Sequence, residues 1–252
     1  MRRPKAYYPI FADLSGRRCV VVGGGLVAQR KVTTLLRYDA SITVVSPSAT
    51  RRLRAYARAG TIRYLARTFR PSDLRGAWLV YAATDHEAIN ALVHRTASRL
   101  RIFTNVVDQP PFCSFIAPSI FRRDPLTIAV STGGASPTIA KRLRRDLART
   151  IGADYAPMLR LLRSLRGVAK RRLPSYRDRK RYFDRLVQGR VFALVRAGRV
   201  SQARREAVTL LDIAAHCGNV GVGAPLRVTR RRPQDMGQNF LPFHTETQNG
   251  RS

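Results

Sequence analysis

The stretch that most constrains the fold is Cys19-Val20-Val21-Val22-Gly23-Gly24-Gly25-Leu26-Val27-Ala28-Gln29-Arg30-Lys31. A short, non-alternating, mostly β-branched run leads into three glycines, and a helix-capable segment follows at once. An apolar run without alternation fits a strand buried on both faces of a parallel sheet. Gly23, Gly25 and Ala28 meet the G-x-G-x-x-G/A spacing of a dinucleotide turn. Gly23 permits the tight turn, Gly25 lets backbone approach a pyrophosphate, and Ala28 lets helix and strand pack closely. The pyrophosphate would lie on the helix N-terminus, where free N–H groups and the dipole favour anions.

The rest of the first half repeats the strand–helix alternation. The spacing predicts a helix over Ala28 to Tyr38, a strand over Ser41 to Val45, a helix over Ala49 to Ala59 and a strand over Thr61 to Leu65. A polar connection, Arg67 to Gly76, leads to strands at Trp78 to Ala82 and Ile102 to Val107, with a helix to about Leu100 between them. Thr84-Asp85 reads as the cap of that helix. Such alternation implies βαβ units and a doubly wound α/β sheet. After the second strand, where many NAD sites carry an acid for the ribose hydroxyls, this chain has Ser46-Pro47-Ser48, with Arg51 and Arg52 beyond. NAD and NADP therefore both stay open on the residues alone.

The pattern changes after Pro110-Pro111. Phe115 to Ile120 and Leu126 to Ser131 read as a hairpin joined through Phe121 to Pro125. Ser136 then offers an N-cap and Pro137 a first helical residue for a basic helix to about Ile151. Helices follow at Ala156 to Arg172, Arg177 to Val187, Val191 to Arg196 and Gln202 to Ala214, jointed at Pro174, Gly189 and Gly198. From Gly218 onward glycine, proline and polar residues dominate, and the expectation is a mostly disordered tail. The domains expected are 1–114, nucleotide-binding; 115–151, a small hairpin–helix segment; 152–216, helical; and 217–252, the tail.

Charge limits the partners. The chain of 252 residues carries 47 Lys and Arg against 15 Asp and Glu, a formal net charge of +32. Such a chain attracts polyanions. Arginine is spread along the whole chain, and neither aromatic–basic interleaving nor a helix-turn-helix or RNP pattern accompanies it, so no specific nucleic-acid partner is expected. No run of about 18 apolar residues predicts a membrane span, and the basic start, Met1 to Lys5, leads to no signal-like apolar core, which favours the cytoplasm. Cys19, Cys113 and Cys217 are too scattered for a disulfide framework or a zinc site. His86, His94, His216 and His244 show no paired-ligand spacing.

Five ordered motifs now stand together: Tyr8-Pro9-Ile10-Phe11, Val21 to Lys31, Ala82-Ala83-Thr84-Asp85, Asn105-Val106-Val107-Asp108, and Ser131-Thr132-Gly133-Gly134-Ala135-Ser136-Pro137. In this order and spacing they resemble the N-terminal module of siroheme synthases, the precorrin-2 dehydrogenase and sirohydrochlorin ferrochelatase family. The likeness is strong from Tyr7 to Ile151 and looser to Ala215. It implies a Rossmann domain, a dimerisation segment at 115–151 forming a homodimer, and a helical domain over the site, in a stand-alone form without the methyltransferase module. It implies oxidation of precorrin-2 to sirohydrochlorin with NAD, with ferrous iron then inserted as a substrate.

The resemblance assigns roles by position. Asp108 matches the catalytic aspartate, able to take a proton as hydride leaves, and is also the residue considered for guiding the metal. The residues alone favour an Asx turn before Pro110. Gly23, Gly24, Gly25, Leu26, Val27, Pro47, Ser48, Thr84 and Asp85 are expected around the cofactor, Asp85 alternatively as a helix cap. Asn105, Ser131, Gly133, Gly134 and Lys141 are expected at the substrate, and His86 is the histidine that could escort iron. Arg30, Lys31, Lys141, Arg142 and Arg145 could pair with the carboxylates of the tetrapyrrole. A dehydrogenase working with a separate chelatase and a non-catalytic tetrapyrrole- or nucleotide-binding protein are the alternatives.

Overall fold

Five short strands define the first half of the chain in a computed structural model whose described residues are 6–219: β1 (Arg18–Val22), β2 (Ser41–Val45), β3 (Arg63–Leu65), β4 (Leu79–Ala82) and β5 (Phe103–Val106). All pair in parallel, in the spatial order β3-β2-β1-β4-β5. The order reverses between β1 and β4, which places a crevice at the carboxyl ends of those two strands. The fold is the Rossmann-type sheet that the glycine turn and the alternation predict.

Both faces of the sheet are covered. Cys19 and Val21 of β1, with Tyr81 of β4, pack against α1 (Leu26–Leu36) and α2 (Arg51–Arg58) through Ala28, Val32, Leu35 and Leu53. Val20 and Val22, with Val80 and Ala82, face α3 (Glu87–Arg99) through Val93 and Ala97. This is why β1 reads as an unbroken apolar run: neither face meets water. Between β3 and β4, Asp73 is buried and held by the two terminal guanidinium nitrogens of Arg67, at 2.6 and 2.9 Å, and by the Arg70 N–H at 2.8 Å.

The chain divides near Arg160 into two units. The first also contains an antiparallel hairpin, β6 (Ser119–Arg123) and β7 (Leu126–Val130), packed by α4 (Pro137–Thr150). Ser136 caps α4, its hydroxyl accepting the Ile139 N–H at 3.2 Å, and Pro137 is the first helical residue, as expected. The hairpin strand starts four residues later than the sequence predicts. Phe115 is drawn onto the Rossmann sheet, edge-on to Tyr81 at 5.4 Å, so pairing begins beyond Pro118 and closes through Asp124-Pro125.

The second unit is helical. It holds the greater part of α5 (Tyr155–Arg172), then α6 (Tyr176–Gln188), α7 (Arg190–Arg196) and α8 (Val200–Asn219). Tyr182, Leu186, Val191, Leu194, Val195, Ala203, Ala207 and Leu211 are buried there, and the Tyr182 hydroxyl donates to the Ala207 carbonyl at 2.9 Å. Gly189 and Gly198 mark the joints, as predicted. Helix α8 runs to Asn219, past the Gly218 at which the tail was expected to start. The rest of that predicted tail lies outside the described residues.

Candidate functional site

The site is built from four loop ends at one edge of the sheet. The first follows β1. Gly23 has φ +119°, and a Cβ there would lie 2.1 Å from the Ala83 carbonyl oxygen. A Cβ on Gly24 would lie 1.8 Å from the Ser48 carbonyl oxygen. The glycine turn is therefore wedged between the turns that follow β4 and β2, and only glycine fits. Gly25 differs: a Cβ there would meet nothing within 4 Å. Helix α1 begins at Leu26, two residues earlier than expected, with no side-chain cap at Gly25 and no acidic residue in its first turn. Leu26 is 71% exposed. Open space over Gly25 beside an uncapped helix N-terminus fits the pyrophosphate of a dinucleotide.

The second loop end is tied to the first. The Thr50 N–H donates to the Gly24 carbonyl at 2.9 Å, and the Thr50 hydroxyl donates to Gln29 Oε1 at 2.7 Å. Ser46 is buried, its carbonyl accepting the Tyr64 hydroxyl at 2.9 Å, while Pro47 and Ser48 are exposed beside the glycine turn. The third loop end, after β4, corrects an expectation. Thr84-Asp85 does not cap α3; His86 occupies that position, without a side-chain cap bond. The Thr84 hydroxyl instead accepts the His86 N–H and donates to Asn90 Oδ1, and Asn90 Nδ2 donates to the Thr84 carbonyl at 2.9 Å. This local ring fixes the turn against Gly23 and leaves Asp85 exposed.

The fourth loop end follows β5. Asn105 is 8% exposed, and its amide donates to the Phe115 carbonyl at 3.0 Å. Its side chain thus holds the returning segment, a role the sequence reading missed. Asp108, exposed, has φ +59°. This left-handed conformation, rare outside glycine and tolerated by Asp, turns the chain sharply out of the sheet. Next to it, Cys113 is buried, with its thiol 3.2 Å from the Val106 carbonyl oxygen.

Lys31, which closes the glycine motif, and Tyr81, which no motif marks, complete the group. Lys31, half-buried on α1, places Nζ 4.7 Å from the Tyr81 ring centroid. Burial and then the Arg30 charge hold its ammonium below the usual lysine range, while the Asp108 carboxylate pulls it back up. Burial raises the Tyr81 phenol well above its ordinary value and the Cys19 thiol to about 11, so neither is an anion at neutral pH.

The predicted residues thus fall into two sets. Gly23 to Val27, Pro47, Ser48, Thr84, Asp85, Asn105 and Asp108 gather at the carboxyl ends of β1, β2, β4 and β5. Ser131, Gly133, Gly134 and Lys141 are exposed on the segment from β7 into α4. The Ser131 hydroxyl accepts the Gly133 N–H at 3.1 Å, and Gly133 and Gly134 have positive φ. Among the described residues, no hydrogen bond or ion pair links this second set to the first. No three His, Cys, Asp or Glu side chains come together as a metal-ligand group among the described residues.

Three family models match in succession: a putative NAD(P)-binding domain over residues 10–119, the sirohaem biosynthesis protein central region over 123–150, and the sirohaem synthase dimerisation region over 154–211. The chain belongs to the sirohaem synthase family. The dimerisation model falls on the helical segment, whereas the resemblance above places dimerisation at 115–151. Among curated relatives, Siroheme synthase 1 of Pectobacterium atrosepticum is 42% identical over 200 residues, covering 79% of this chain and 42% of that one. Siroheme synthase 1 of Serratia proteamaculans is 39% identical over 231 residues, covering 92% of this chain and 48% of that one. The chain therefore spans less than half the length of these sirohaem synthases. A solved structure, SirC, precorrin-2 dehydrogenase, matches with a TM-score of 0.66 and 25% identity, over 82% of this chain and 100% of its own. Among the described residues, no helix is long and apolar enough to cross a membrane.

Proposed function

We propose that this chain oxidises precorrin-2 to sirohydrochlorin with NAD, and that sirohydrochlorin then receives ferrous iron on the same protein. The observation that carries the reading is Asp108, held in a left-handed turn at the carboxyl end of β5, on the same edge of the sheet as the glycine turn.

NAD, when bound, accepts a hydride. The backbone N–H groups of Gly25, Leu26 and Val27 would hold its pyrophosphate, with Pro47, Ser48, Thr84 and Asp85 along its rim. NAD rather than NADP rests on the family likeness, since Ser46-Pro47-Ser48 carries neither an acid nor a built phosphate clamp. Asp108 takes the proton that the ring releases as hydride departs, so two electrons and two hydrogens leave the substrate together. In the metal step the same carboxylate accepts pyrrole N–H protons as iron enters. The cationic surface raises the local concentration of a substrate bearing many carboxylates. The match of residues 154–211 to the dimerisation region supports a homodimer, and Ser131, Gly133, Gly134 and Lys141 are proposed to reach substrate within that assembly.

Anaerobic incubation of the chain with precorrin-2 and NAD is expected to yield NADH absorbance and sirohydrochlorin together, and Asp108→Ala to yield neither. Ferrous iron, or cobalt in its place, added to sirohydrochlorin tests the second step separately. Full turnover by Asp108→Ala would remove the catalytic assignment. Absence of both products from the wild-type chain would remove the reaction.

A further inference from the structure

The sequence offers five cations for the carboxylates of an anionic macrocycle, and the structure separates them. Lys141, Arg142 and Arg145 stand exposed on α4, where Arg142 already faces Asp146 at 3.9 Å. Arg30 is exposed on α1. Lys31 alone of the five is half-buried, with its charge over the Tyr81 ring and within the field of Asp108. Tyr81 lies beside Asn105 in the β4–β5 register, so Lys31 overlooks the strand pair that leads to Asp108. Among the described residues, no carboxylate lies within ion-pair distance of its ammonium.

A half-buried ammonium without an ion pair is held at a cost in hydration. The face of the Tyr81 ring, 4.7 Å from Nζ, offsets part of that cost. A ligand carboxylate would complete the compensation with a charge-assisted bond. We infer that Lys31 seats one carboxylate of the polyanionic substrate beside Asp108, orienting the macrocycle toward that residue. This rests on the dehydrogenase reading above for the identity of the substrate, but its ligand chemistry, a polycarboxylate ring, can be probed without turnover. A purely structural Lys31 would act through its aliphatic stem on Tyr81, and Lys31→Met keeps most of that stem while removing the charge.

The test uses the full chain at physiological salt, with uroporphyrin as a stable polycarboxylate macrocycle followed by fluorescence. Lys31→Met is expected to weaken uroporphyrin binding about tenfold or more, Lys31→Arg to restore it to within about threefold, and Arg58→Met, an exposed control on α2, to change it less than about twofold. NAD affinity and melting temperature should stay at wild-type values in Lys31→Met. With precorrin-2 as substrate, KM should rise about tenfold while kcat stays within about threefold. Unchanged uroporphyrin binding, or a loss confined to kcat, overturns the assignment. A parallel loss of NAD binding or of melting temperature in both Lys31→Met and Lys31→Gln makes Lys31 structural and also overturns it. Lys31-dependent binding by a wild-type chain that does not oxidise precorrin-2 sinks the dehydrogenase reading and leaves Lys31 as the anchor.

Discussion

The Ser48 carbonyl oxygen occupies the place that a Cβ of Gly24 would need, 1.8 Å from it, while the neighbouring Gly25 opens onto empty space. Two adjacent glycines in one motif are therefore required for different reasons. Gly24→Ala is expected to force the first two turns apart and destabilise the fold by about 2 kcal/mol or more. Gly25→Ala, at an ordinary extended conformation, should leave the melting temperature unchanged and weaken NAD binding at least about tenfold, since the new methyl fills the proposed pyrophosphate seat. Thermal melts and NAD titrations of the two variants check this; equal stability losses in both would contradict it.

Asp108 sets function against backbone comfort. Glycine is more at ease at φ +59°, so Asp108→Gly should match wild-type stability or exceed it by about 0.5 kcal/mol. The same variant should lose precorrin-2 oxidation. A clear fall in melting temperature would show that the carboxylate serves the fold.

The pairing of buried Asp73 with the partly exposed Arg67 predicts an acid-sensitive fold. The Arg67 guanidinium holds the Asp73 carboxyl below its ordinary value of 3.8, against the opposing effect of burial. With the folded value depressed, the contribution is fully present above pH 3.8 and is lost as pH falls through the folded value. Asp73→Asn should cost about 2 kcal/mol at neutral pH. The gap between variant and wild type should narrow in acid, which urea melts at neutral and acid pH would measure.

Asn105 connects the sheet to the segment that carries Phe115. Asn105→Leu leaves the Phe115 carbonyl without its donor and should cost about 1–3 kcal/mol. Because the same strand leads into Asp108, kcat should fall while NAD affinity holds. Wild-type kcat in a destabilised variant would separate the two effects.

Much of the sheet was legible because its signals are local. Val20 to Val22 and the three glycines combine a period and a turn within one short stretch, and the boundaries of β2 follow from Ser41 to Val45 directly. Local pattern misleads where distant contacts override it. Phe115 looks like the start of a hairpin strand, yet Tyr81 and Phe103 hold it against the Rossmann sheet. Thr84 looks like a cap, yet its hydroxyl is engaged by His86 and Asn90. The candidate site was legible as motifs but not as an arrangement. Nothing in the spacing of Lys31, Tyr81 and Asp108 shows that α1, β4 and the end of β5 bring them together. The position of Asn105 in its motif points to substrate, and does not reveal that its amide also holds the Phe115 carbonyl.

The clasp between Thr50 and the Gln29–Gly24 stretch has a consequence for kinetics. Two turns fastened to each other hold their shape together, so the seat over Gly25 is ordered by the protein's own bonds. A ligand entering it gives up its own freedom but demands little ordering from the protein, which favours encounter at rates limited by diffusion and orientation rather than by rearrangement.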